Sequence, residues 1–192
     1  MHELIEKIKD EGGHVGGGIV KVDSFLNHQV DPGLTERMAI EIADRLRAAG
    51  IGEITRVLTA EVSGIPVALH VAAQFGARLL YARKSQSRTM TGTYYVAEAV
   101  SRTRGTVSDL MVDRRFLGDS DEVLIIDDFL ATGATLSALS SLVAESGAQL
   151  QGIACVIEKP AEQGRDVLSH LRVPVITLAK ILFDHNELRV TE

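Results

Sequence analysis

The stretch EVLIIDDFLATGAT, residues 122–135, constrains the fold more than any other. Val123 to Ile126 form an unbroken apolar run, which suits a central parallel strand covered on both faces. A parallel neighbour requires a crossover, and ATLSALSSLVAES (134–146) has the apolar spacing of a helix, followed by QGIACVIE (151–158) as the next strand. Upstream the alternation repeats. TRVLTA (55–60) reads as a buried strand, Pro66 opens the helix VALHVAAQF closed by Gly76, and RLLYA (78–82) is again a strand. Such spacing predicts parallel βαβ units, hence an α/β domain with a mostly parallel sheet flanked by helices.

The remaining segments fit around that frame. Residues 2–11 read as a short amphipathic helix, and GGHVGGG (12–18), five glycines in seven positions, as loop. GIVKVDSF is expected to be a short strand. Asp31 before Pro32 predicts an N-cap and a helix running to Ala49, with Leu34, Met38, Ile42, Arg45 and Leu46 at helical spacing. YYVAEAV and TVSDLMV read as a strand pair, Arg165–Leu171 as a short helix, and PVITLAKI and NELRVTE as the last strands. With 192 residues, no internal repeat and no low-complexity linker, one domain is expected over 1–192.

Asp127 and Asp128 leave their strand at its carboxyl end, where open α/β sheets bind ligands. The following Ala131, Thr132, Gly133, Ala134 and Thr135 are small enough for their amides to approach an anion, at the start of a helix. Two readings fit the pair. It is turn and N-cap chemistry, or it is one half of a site whose ligand carries a phosphate at one end and donor hydroxyls beside it, as a ribose 5-phosphate does. No Walker lysine loop and no GxGxxG pattern occurs, so a nucleotide triphosphate site is not indicated.

Composition narrows the field. A net charge of −6 argues against general nucleic-acid binding, and no apolar run approaches the roughly 18–20 residues of a membrane span. One cysteine, Cys155 within an apolar run, allows no internal disulfide and reads as a core thiol. The N-terminal segment has no apolar signal-like stretch, so a cytoplasmic location is expected. The six histidines show no metal-ligand spacing.

The apolar strand, twin acids and small-residue loop ending in threonine resemble the phosphoribosyl pyrophosphate (PRPP) motif of type I phosphoribosyltransferases. KVDSFLNHQVDP (21–32), ARK (82–84) and GIACVIEKPAEQGRD (152–166) are similar to the bacterial xanthine-specific branch of that family. The resemblance implies a type I phosphoribosyltransferase fold with a small hood, built from residues 1–30 and about 159–192, and a mobile flap at Ser85 to Tyr95. It implies purine salvage: transfer of a phosphoribosyl group from PRPP to xanthine, giving xanthosine 5′-monophosphate and pyrophosphate.

Site residues follow from the same resemblance. Asp127 and Asp128 would meet the ribose hydroxyls and favour a cationic sugar. Ala131 to Thr135 would hold the 5′-phosphate, and Ser63, Gly64, Arg83 and Lys84 the pyrophosphate. In the relatives a second serine stands at the place of Val62. Val20, Asn27 and Lys159 would contact xanthine, and Phe129 would stack on it or belong to the core. Lys159 can donate to a purine O6 but cannot accept from an amino group, which disfavours adenine; Asn27 can flip to serve either xanthine or guanine. Mg²⁺ would arrive with PRPP, with no protein metal site of its own, and a homodimer is expected. Two rivals stand beside this reading: the same chemistry on another purine, and a PRPP-sensing regulator of the same fold.

Overall fold

The computed structural model describes residues 1–14, 20–85, 92–101, 106–184 and 187–192. Helix α1 (His2–Glu11) precedes the two-residue strands β1 (Gly13–His14) and β2 (Val20–Lys21), a π-helical turn at Asp23–Asn27, and α2 (Pro32–Ala48). Then follow β3 (Arg56–Ala60), α3 (Ile65–Phe75), β4 (Arg78–Ala82), the hairpin strands β5 (Tyr94–Ser101) and β6 (Thr106–Asp113), β7 (Glu122–Leu130), α4 (Ala134–Ser146) and β8 (Gln149–Glu158). The chain closes with a short turn of helix at Pro160–Glu162, α5 (Gly164–Leu168), another turn at Ser169–Leu171, β9 (Val175–Asp184) and β10 (Glu187–Thr191).

The main sheet has the order β10-β9-β8-β7-β3-β4. Every pairing in it is parallel except β10 on β9. Val123 to Ile126 are fully buried and alternate between two apolar clusters. Leu124 and Ile126 join Leu34, Met38, Ile42, Val67 and Val71 of α2 and α3; Val123 and Ile125 join Leu136, Leu139 and Leu142 of α4 and Leu110 and Val112 of the hairpin. The chain leaves β3 toward β4 on one side and β7 toward β8 on the other. The carboxyl ends of β3 and β7 therefore flank the point where the winding reverses, where such folds open a crevice.

The caps predicted from sequence form. The Asp31 carboxylate accepts the Leu34 N–H at 3.0 Å, and Gly76, in the left-handed region at φ 65°, ends α3. α3 begins one residue before Pro66.

Two expectations are corrected. GIVKVDSF is a strand only at Val20–Lys21 before turning helically at Asp23, because Val22, Phe25 and Leu26 stand at the i, i+3, i+4 spacing of a helix and bury together. The strand carrying the twin acids does not end at them: β7 runs on to Leu130, with Asp127 opposite Cys155 and Phe129 opposite Ile157 of β8. α1 packs on β9 and β10, which brings the two ends of the chain to one side of the sheet. Most of the flap expected at Ser85 to Tyr95, residues 86–91, lies outside the described residues, and its end, Tyr94 and Tyr95, begins β5.

Candidate active site

The turn after β7 places a bare loop opposite its acids. A cleft of about 170 Å³ is lined by Asp127, Asp128, Phe129 and every residue from Ala131 to Leu136. The loop closes on Gly133, whose φ of 79° only glycine adopts without strain, and α4 starts at Ala134. The first residues of this thirteen-residue helix line the cleft together with Thr132, whose hydroxyl accepts the Ala134 N–H at 3.5 Å, and the first-turn amides of a helix suit an anion. Although the strand continues beyond the acids, both carboxyl groups border the same cleft.

Asp127 is 7% exposed, and its Oδ1 accepts the Asp128 N–H at 3.0 Å. Burial, then the neighbouring Asp128 charge, push its carboxyl well above the usual carboxylate range, while the Lys84 ammonium pulls the other way. Asp127 is thus poised to shed a proton when positive charge enters the cleft.

The turn between β3 and α3 reaches the same place. Gly64 lies so close to Asp127 that a Cβ on it would sit 2.7 Å from Asp127 Oδ1 and 3.3 Å from its Cα, and closer still to Thr59 Oγ1. Sequence spacing alone gives no hint of that contact, since it depends on β3 lying beside β7. Within this turn the Glu61–Val62 peptide is cis, and Val62 points its side chain outward. Glu61 accepts the Lys84 N–H at 2.7 Å and faces Arg83 Nε at 4.0 Å. Among the described residues the buried Thr59 Oγ1 and Arg83 Nε have no hydrogen-bond partner. Unpaired buried donors are costly, and neither Thr59 nor Arg83 is among the residues lining the cleft of the acids.

On the other side, Lys159 follows directly on β8. Its N–H donates to Leu130 O at 2.8 Å, and its Nζ lies 5.4 Å from the centre of the Phe129 ring and 3.6 Å from Glu162. Phe129 is half-buried and packs on the α2/α3 cluster, to which Val20 also belongs. Asn27 ends the π-helical turn with its side chain exposed, and among the described residues no hydrogen bond joins it to Lys159 or Phe129.

Four residues not singled out from the sequence complete the setting. Glu158, 4% exposed, is gripped by both ends of the Arg165 guanidinium at 2.9 and 2.7 Å and by the Thr177 hydroxyl at 2.8 Å. Burial raises its carboxyl, but those bonds outweigh it and hold the pKa below the ordinary value. Gly164 packs its backbone on the loop: a Cβ there would lie 2.7 Å from Gly133 N. The only signal for these in the sequence is an acid and an arginine seven positions apart around EKPAEQGR. A larger cavity, about 290 Å³, lies at β4 and the hairpin among Tyr81, Tyr94, Met111 and Phe116; of the candidate residues it holds Arg83 alone.

Comparison with known proteins agrees with this geometry. Residues 33–186 match the phosphoribosyl transferase domain family. The chain is 47% identical to a xanthine phosphoribosyltransferase of Deinococcus deserti over 95% of its own length and 93% of the relative's. It is 39% identical to one of Listeria innocua over 97% and 96%. An adenine phosphoribosyltransferase structure from Rhodothermus marinus superposes with a TM-score of 0.71 at 26% identity, covering 94% of this chain and 99% of that one. A cleft that sets twin acids against a bare phosphate-sized loop is what the family motif demands of a fold, and with these relatives the chain belongs to the phosphoribosyltransferase family, in its xanthine phosphoribosyltransferase group.

Proposed function

We propose that this enzyme transfers the 5-phosphoribosyl group of PRPP to N9 of xanthine, in purine salvage. The C1–pyrophosphate bond breaks, the N9–C1 bond forms, and the proton lost from the purine goes to water; the products are xanthosine 5′-monophosphate and pyrophosphate. The observation that carries this reading is the juxtaposition of Asp127, Asp128 and the loop 131–135 in one cleft, with Gly64 against Asp127.

In this reading the amides and hydroxyls of Ala131 to Thr135 hold the 5′-phosphate, and the absence of a lysine there leaves the phosphate to backbone donors. Asp127 and Asp128 accept hydrogen bonds from the ribose 2′- and 3′-hydroxyls, and their charge stabilises the positive charge that develops on the sugar as pyrophosphate departs. Ser63 and Gly64 amides, with Arg83 and Lys84, receive the leaving pyrophosphate. Lys159 donates to O6 of the base, Asn27 meets the O2 edge, and Val20 and Phe129 supply apolar contact. The oxygen-only donor set, two carboxylates beside a buried unpaired Thr59 hydroxyl, suits a hard cation such as Mg²⁺. Mg²⁺ would arrive with PRPP and neutralise pyrophosphate charge, with Asp127 and Asp128 the residues that would face it through the ribose hydroxyls or metal-bound water.

The setting proposed is the cytoplasm; no helix among the described residues is long and apolar enough to cross a membrane. A homodimer is the proposed assembly, supported by exposed Tyr81 and Phe116 in the larger cavity and by exposed Val96, opposite Met111 in the hairpin, and light scattering in solution tests it. Substrate choice is tested by competing xanthine, guanine, hypoxanthine and adenine for limiting PRPP with Mg²⁺. Xanthine consumption should dominate; a preference for guanine would move the enzyme to another purine.

A further inference from the structure

The segment from Glu158 to Arg165 is fastened at its start to the last residue of β7 and at its end to the loop that follows. At its start the Lys159 N–H donates to Leu130 O at 2.8 Å. At its end Gly164 lies against the loop, with a Cβ there only 2.7 Å from Gly133 N and 2.8 Å from Leu130 Cδ1, and a Cβ on Gly133 would be 2.9 Å from Gly164 O. The two ends are also fastened to each other. Arg165 Nε and Nη2 reach the two Glu158 oxygens at 2.9 and 2.7 Å, and Nη1 donates to Val175 O at 2.8 Å on the neighbouring strand. Gln163, at φ 58°, turns the chain so that Gly164 and Arg165 face back onto the sheet. The result is a closed brace carrying Lys159.

We infer that Arg165 is a positioning residue which, through Glu158 and with Gly164, fixes the distance between the Lys159 ammonium and the loop 131–135, so that the purine and the 5′-phosphate of one nucleotide are gauged against each other. This rests on the reading that Lys159 meets the base and the loop the phosphate. Arg165 is not among the residues that line the cleft of the acids and the loop 131–135, so it need not touch either fragment. It matters when one molecule must satisfy both ends, because the spacing is then set before binding rather than by the ligand. A bidentate guanidinium suits this task, since its planar fork fixes direction as well as distance.

Removing Arg165 alone leaves a buried carboxylate unpaired and endangers folding. The test therefore uses the double variant Glu158→Gln/Arg165→Gln, which removes both charges and keeps side chains able to hydrogen-bond, beside Arg165→Lys. Wild type and variants, each checked for a cooperative melt above the assay temperature, are titrated calorimetrically with xanthosine 5′-monophosphate, ribose 5-phosphate and xanthine. The expected result is a loss of at least thirtyfold in nucleotide affinity with ribose 5-phosphate and xanthine each within threefold of wild type, Arg165→Lys falling between. Equal losses for all three ligands, or none, would overturn the inference. If wild type prefers another purine nucleotide, the same comparison is made with that nucleotide and its base. The xanthine reading then falls while the gauge is still decided.

Discussion

Gly64→Ala isolates the contact that joins the β3–α3 turn to the acids. The added Cβ would lie 2.7 Å from Asp127 Oδ1, about 0.7 Å inside the 3.4 Å of ordinary contact, and 3.3 Å from the Asp127 Cα. Neither neighbour yields cheaply, because Asp127 is paired within the sheet opposite Cys155, and Thr59, the other atom in the way, is β-branched on buried β3. Since the added carbon would also lie 2.3 Å from Thr59 Oγ1, the turn must retreat by about an ångström. Overpacking of this kind costs about 1–3 kcal/mol, which lowers the melting temperature by roughly 2–12 °C at this chain length. The catalytic effect is larger: a displacement near 1 Å in a positioning loop costs on the order of 100-fold. Initial rates at varied PRPP should show kcat/KM for PRPP down by about that factor. Gly52→Ala, where nothing lies within 4 Å of the added carbon, should match wild type. Adding Thr59→Ala to Gly64→Ala should recover part of the stability, a coupling readable in a double-mutant cycle. A Gly64→Ala enzyme within twofold of wild type in kcat/KM would refute the idea that this turn and the acids form one site.

Asp127→Asn should abolish most turnover yet stabilise the unliganded protein near neutral pH. Because the folded-state pKa is raised, the stability that protonated Asp127 contributes is complete below the ordinary carboxylate range and drains away as pH climbs through the raised value. The variant should gain about 0.5–2 kcal/mol, or roughly 1–8 °C, at pH 8 and little at pH 4, by calorimetry; no gain at pH 8 would contradict the buried like-charge pair. Lys159→Ala should raise KM for the base about 10- to 150-fold, the worth of one charged hydrogen bond, with KM for PRPP changed far less, and equal effects on both would displace Lys159 from the base. Cys155, fully buried with its thiol pushed up by burial and then by the Asp127 and Asp128 charges, should resist iodoacetamide at pH 8 until the protein unfolds. Rapid alkylation of the native protein would speak against that burial.

Much of the architecture was readable because local chemistry and tertiary demand agree. Asp31 and Pro32 announce α2, Gly76 closes α3, and the run 123–126 is apolar on both faces because two clusters need it to be. The twin acids and the loop 131–135 were legible since they are contiguous in sequence. What escaped depends on relations between strands. Leu130, not Asp127, ends β7 because β8 continues beside it, and a single strand's pattern does not reveal its partner's length. The turn at Asp23–Asn27 was hidden because Val20 and Val22 alternate as in a strand before Val22, Phe25 and Leu26 take up helical spacing. The Glu158–Arg165 grip arises from a left-handed residue at Gln163, a position where glycine or asparagine would have given warning and glutamine does not.

The reversal of winding between β3 and β7 has an evolutionary corollary. The crevice is made by the path of the main chain and comes with the topology, whereas Lys159, which the proposed function sets against the base, sits in a five-residue segment, Lys159 to Gln163, between two fixed anchors. A lineage can recut that short insert for a different nucleobase without rethreading a single strand, provided the anchors on either side stay as they are.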